Sequence, residues 1–147
     1  SEALGYLMHN CPTFVDLLGE TPASDLDGKS LAPVIRGEAI QGRDTIFLAY
    51  KDVQRAVRKG PWKLLRYPKV DVTQLFNLDS DPHEMNDLAD DPAYSDKVSE
   101  MMALLKEQQE VFDDPHPLAV ANPAKSEVDQ AYFNNAPEVQ PRKKKKK

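Results

Sequence analysis

At Thr45 the apolar residues change their spacing, and that change limits what this chain can fold into more than any other feature. The segments "TIFLAY", "VQRAVR", "WKLLRY" and "QLFNL" are short, rich in β-formers and bounded by turn residues, a pattern that predicts strands. The second and third are separated by "KGP", where Gly60 is free to take the positive φ of a tight turn, so they predict a β-hairpin. In that hairpin Val53, Arg55 and Val57 share one face, and Gln54, Ala56 and Arg58 share the other. Each face mixes apolar and basic side chains, which is unusual for a sheet with one face simply in solvent. Behind the strands, "AYSDKVSEMMALLKEQQEVF" places Val98, Met101, Leu105 and Phe112 on a helical stripe, with Gln108 as a polar gap.

Between strands and helix runs "LFNLDSDPHEMNDLADDP", residues 75–92, with six carboxylates. A calcium loop, a catalytic acid cluster and plain punctuation compete for it. Asp79 and Asp81 alternate as in an EF-hand loop, but the central Gly and the terminal Glu are absent and Pro82 interrupts the run. Asp81-Pro82-His83-Glu84 instead offers an N-cap residue, a proline at the first helical position and a Glu at N3. It predicts a helix start of the capping-box type. Asp91-Pro92 repeats the device ahead of the long helix. Upstream, "SEALGYLMHNCPTFVDLLGETP" predicts a helix opening at Pro12 and closing at Gly19, and "DGKSLAPVIRGE" a brief helical turn over 31–35. From about Pro123 the chain loses any sustained period and is expected to be disordered.

With 147 residues there is room for one domain with a modest core. The formal net charge is −5, but residues 142–147 hold six of the 19 basic side chains, which leaves 24 acids against 13 bases in residues 1–141. A body this acidic repels nucleic-acid phosphate and anionic membrane, so no nucleic-acid partner is expected. No apolar run approaches the ~18 residues of a membrane span. The single cysteine, Cys11, excludes an internal disulfide and cannot alone make a Cys-type zinc site. His9, His83 and His116 each lack a second His or Cys at ligand spacing, and no nucleophile elbow, Walker loop or His-Glu-x-x-His motif is present.

Against this acidic background Lys51, Arg55, Arg58, Lys59, Lys63 and Arg66 stand out, with Tyr50, Trp62 and Tyr67 among them. Such a cluster either covers apolar surface with its long stems or turns forked donors toward sulfate, phosphate or carboxylate. The lysine run 143–147 is a solvated terminus or a nonspecific polyanion contact. The N-terminus lacks an initiator Met and the layout of a signal peptide, so the chain is expected to be a piece of a longer one.

In order, "PTFVDLLGETP", "DGKSLAPVIRGE", "RDTIFLAY", "QRAVRKGPWKLLRYP", "QLFNLDSDPHEMNDLADDP" and the following helix resemble the C-terminal part of type I sulfatases, from about residue 1 to 122. The resemblance implies an α+β fold: a small four-stranded antiparallel sheet packed by a long C-terminal helix, preceded by the last helix of an alkaline-phosphatase-like α/β domain. Residues 1–40 would then end that domain, 41–122 would form the subdomain, and 123–147 a disordered basic-ended tail.

The resemblance further implies hydrolysis of sulfate esters by a formylglycine, made from Cys or Ser in a Cys/Ser-x-Pro-x-Arg motif, with a calcium ion held by Asp and Asn. Here Cys11-Pro12-Thr13-Phe14 places proline one position early and lacks the Arg. No catalytic or metal residue can be carried over, and both groups would belong to a catalytic domain upstream, so the chain alone is expected to be inactive. Substrate contact can be carried over: Tyr50, Lys51, Asp52, Gln54 and Arg55 are the candidates for reading a sulfated carbohydrate or other alcohol. Two other roles stay open, a stand-alone anion- or carbohydrate-binding module and a purely structural subdomain. The resemblance leans toward a periplasmic or secreted protein.

Overall fold

The computed structural model describes residues 4–39 and 43–126. Its centre is a four-stranded antiparallel sheet, β1 (Thr45–Tyr50), β2 (Gln54–Lys59), β3 (Trp62–Tyr67) and β4 (Val72–Asn77), with neighbours in chain order. β2 and β3 form the expected hairpin, with Lys59 opposite Trp62 and Gly60 at φ +55°. The helix α3 (Ser95–Val111) lies across β2 and β3 and buries Met101 and Leu105. Under it, Phe47, Val57, Leu64 and Leu75 meet from all four strands and complete the main core. Val98 packs against the edge of that core. Phe112 leaves it to stack on the Phe47 ring, with centroids 5.5 Å apart.

The opposite face carries a smaller cluster, Ala56, Leu65 and Phe76, and leaves Leu48 and Tyr50 exposed.

The N-terminal part is built around α1 (Asn10–Leu17) and α2 (Ala32–Ile35). Gly19 closes α1 at φ +82°, with Gly19 N–H on the Asp16 carbonyl and Glu20 N–H on that of Val15. This is the doubly bonded glycine cap that the sequence announces. Residues 28–31 then lie against α1. A Cβ on Gly28 would sit 2.0 Å from the Met8 carbonyl oxygen, so only glycine allows that approach. The Thr13 hydroxyl accepts from Leu31 N–H at 2.9 Å and donates to the His9 carbonyl at 2.5 Å.

The helix expected at Asp81 does not form. Residues 81–91 are turns, and the reason lies in competing partners. Asp81 accepts from Asn86 N–H at 2.8 Å, Glu84 adopts φ +55°, and the Glu84 carboxylate reaches Lys63 at 2.7 Å instead of returning to the Asp81 backbone. Downstream, Asp87 accepts from Leu75 N–H at 3.0 Å, and Leu88 N–H donates to the Leu75 carbonyl at 2.8 Å. The acidic loop therefore closes the outer edge of β4, where unpaired backbone groups would otherwise face solvent. Asp91 does cap as expected, accepting from Ala93 N–H at 2.9 Å above a short 3-10 turn, Pro92–Tyr94, that runs into α3.

Of the expected disordered tail, residues 127–147 with the lysine run lie outside the described residues, while Ala124 N–H donates to the Lys69 carbonyl at 2.7 Å. No described helix is long and apolar enough to cross a membrane.

Candidate functional site

The five candidate residues surround the turn between β1 and β2. Tyr50 ends β1, Lys51, Asp52 and Val53 make the turn, and Gln54 and Arg55 open β2. Val53 N–H closes the turn on the Tyr50 carbonyl at 3.1 Å. Lys51 sits at φ +48°, which is uncommon for a residue with a Cβ. Its ammonium lies 5.6 Å from the centre of the Tyr50 ring, and both side chains face solvent. Asp52 pairs with Lys69 at 2.5 Å, and that contact holds its carboxyl below the usual carboxylate range, helped by its own backbone amide.

Arg55 is placed differently from the other four. It is 1% exposed, and it lies on the helix-facing side of the sheet beside Val57. Its Nε and Nη2 donate to the two carboxylate oxygens of Asp114 at 2.5 and 2.9 Å, while Nη1 donates to the carbonyls of Lys51 and Gln54 at 2.6 and 2.8 Å. The fork of donors that pointed to an anion is real, but the anion it holds is a carboxylate of the same chain.

The wider basic cluster is similarly divided. Arg66, across from Arg55, is buried and spends its guanidinium on the Leu118 carbonyl at 2.7 Å, on Thr73 and on Asp71. Lys63 pairs with Glu84, and Arg58 donates to the Gly60 carbonyl. Lys51 and Lys59 stay exposed. The two buried arginines explain the mixed hairpin face, because they fasten residues 114–118 across the end of the sheet that α3 leaves open. Asp114 and this connection carry no sequence signal of their own beyond an acid behind a helix.

A second polar centre surrounds His9, which is 1% exposed. Its Nδ1 faces Lys29 N–H at 2.8 Å and its Nε2 faces Arg43 Nε at 3.0 Å. Burial first, and the Arg43 charge second, hold its pKa below the ordinary 6.5. The unfolded chain therefore takes up this proton first as the pH falls. The expected outcome is stability that is complete above about pH 6.5 and declines below it until the folded-state pKa is passed. NMR titration of the His9 ring should show a midpoint below 6.5; a midpoint at or above it would refute the assignment.

Among the described residues no three His, Cys, Asp or Glu side chains gather where they could hold a metal ion. Cys11 is exposed on α1, with Pro12 next to it. The described residues thus offer no cluster that fits the calcium ion that the resemblance implies, and Cys11-Pro12-Thr13-Phe14 is not its formylglycine motif.

Residues 4–111 match the family model described as N-sulphoglucosamine sulphohydrolase, C-terminal. The chain is 31% identical over 129 residues to the N-acetylglucosamine-6-O-sulfatase of Bacteroides thetaiotaomicron, covering 80% of this chain and 23% of that protein. It is 34% identical over 89 residues to the choline-sulfatase of Rhizobium meliloti, covering 55% of this chain and 17% of that protein. A solved structure of a protein in complex with its substrate, D-glucosamine-2-N,6-O-disulfate, is similar with a TM-score of 0.61 and 28% identity, over 73% of this chain and 24% of the other. The chain spans less than a quarter of the length of each of these three.

Proposed function

The chain belongs to the N-sulphoglucosamine sulphohydrolase C-terminal family, and from that premise we propose that it is the C-terminal part of a sulfatase that hydrolyses sulfate esters of a sulfated carbohydrate. The observation that carries this is the similarity over both sheet and helix to proteins named for sulfated amino sugars. The net reaction consumes one water per sulfate monoester, breaks the bond between sulfur and the ester oxygen, and gives the free alcohol and inorganic sulfate. Such chemistry needs a positioned nucleophile and charge stabilisation. These, with the formylglycine and calcium, are assigned to a catalytic domain upstream, and this chain alone is inactive.

Its part is to complete the fold and shape the pocket rim. Exposed Leu48 on the far face of the sheet, with Phe14, Leu18 and Ile35 on the N-terminal helices and their flanks, supplies apolar area for docking that domain. At the β1–β2 turn Tyr50 offers a ring for the sugar face, Lys51 an exposed ammonium for sulfate or carboxylate, and Asp52 and Gln54 acceptors for hydroxyls. Arg55 belongs to this rim through the turn it holds.

The test uses the full-length protein and its 147-residue C-terminal part side by side. The full-length protein should release sulfate from glucosamine sulfated at O6, and the C-terminal part should release none. Lys51→Ala in the full-length protein should lower kcat/KM about tenfold, chiefly through KM, as loss of a ground-state charge contact would. No sulfate release by the full-length protein would refute the activity. Unchanged kinetics in Lys51→Ala would remove the rim assignment alone.

A further inference from the structure

The Arg55–Asp114 pair has more contacts than a structural ion pair needs. Arg55 Nη1 is not used on the carboxylate at all; it is aimed at the carbonyls of Lys51 and Gln54, at 2.6 and 2.8 Å, from beneath the turn. On the other side, Gln109 of α3 donates to Asp114 at 2.7 Å and to the His116 carbonyl at 2.8 Å, and Asp114 N–H returns to the Gln109 carbonyl at 2.9 Å. An unbroken run of hydrogen bonds thus joins the end of α3, whose Leu105 is in the core, to the backbone of Lys51.

That backbone needs holding. Lys51 has positive φ, a conformation that persists only where surrounding contacts over-determine it. The other tie at the turn, Asp52 to Lys69, is half exposed on both sides and is screened by salt. The Arg55 contacts are sheltered from water and keep their strength.

We propose that Arg55 and Asp114 are positioning residues, which fix the backbone of the β1–β2 turn and thereby aim Tyr50, Lys51 and Asp52 at the substrate. This rests on the reading of that turn as pocket rim. Residues 109–116 become, through it, part of the specificity apparatus although none of them need touch the sugar.

Arg55→Lys in the full-length protein tests it, since lysine keeps the charge beside Asp114 but cannot span the carboxylate and both carbonyls. Amide hydrogen exchange over residues 50–54 should rise about tenfold while that of 64–66 stays as in the parent protein, the pattern of local opening rather than global loss. With sulfated glucosamine, kcat/KM should fall about tenfold through KM, because a misaimed contact group weakens binding. If Arg55→Lys does not fold, Asp114→Asn, which keeps the shape of the carboxylate, is measured the same way. Unchanged exchange over 50–54 overturns the proposal. Raised exchange with unchanged kinetics also overturns it. In that case the behaviour of Lys51→Ala decides what else falls: a loss there leaves the rim standing without the clamp, and no loss removes both.

Discussion

Asp114→Ala should cost the fold about 3–5 kcal/mol, because it leaves the Arg55 guanidinium charged and sealed from water. Arg55 is 1% exposed and Asp114 sits 59 positions away in sequence, so no neighbour along the chain replaces the lost carboxylate. Replacing both partners with apolar residues, Arg55→Met with Asp114→Leu, should be far milder, since no charge is then stranded. Urea denaturation of the single and double variants measures this; a double variant as unstable as the single would show that the pair contributes more than it costs to bury.

The same carboxyl supplies a pH signature. Its contacts with Arg55, and after them its bond from Gln109, lower its pKa from 3.8 to about 2. The unfolded chain binds that proton first on acidification. Stability from this group is therefore complete above about pH 4 and is lost as the pH falls toward 2, by about 2 kcal/mol.

Leu64→Ala should be comparably damaging, at about 2–5 kcal/mol. Leu64 is fully buried in β3, opposite Val57 on one side and Leu75 on the other, with Met101 and Leu105 in the same cluster. Strand backbones held by two ladders cannot collapse into the void, so both the transfer term and the cavity term apply. Leu48→Ala in the 147-residue chain, where that side chain is half exposed on the far face, should stay within about 0.5 kcal/mol. Equal losses at the two positions in thermal or urea unfolding would contradict the division of the sheet into a core face and an open face.

That the five candidate residues would lie together was legible, but how each side chain is held was not. The run from Tyr50 to Arg55 does form one turn and its flanks, as the strand boundaries implied. That Arg55 would meet a carboxylate inside the fold was not legible. Its alternation with Val57 put it on the core face, yet nothing nearby in sequence announced Asp114 as its partner. The acidic loop misled in the same manner. Asp81-Pro82-His83-Glu84 satisfies the local rules for starting a helix, but Lys63 takes the Glu84 carboxylate and Asn86 takes that of Asp81. Asp91-Pro92, where no such competitor intervenes, starts its helix as written.

What the sequence by itself determined were the features set by neighbours within a few residues: four strands, the Gly60 turn, the glycine cap of α1, the start of α3 and the buried stripe of Met101 and Leu105. Each follows from φ preference, side-chain period or capping chemistry, which act over one turn or one strand. Only the tertiary structure decided which charges meet. Arg55 with Asp114, Arg66 with the Leu118 carbonyl, Lys63 with Glu84 and Asp87 with the edge of β4 join residues from 12 to 59 positions apart. Such pairings depend on where the packed core brings the chain ends of its elements, and a charge has no period from which that meeting point can be read.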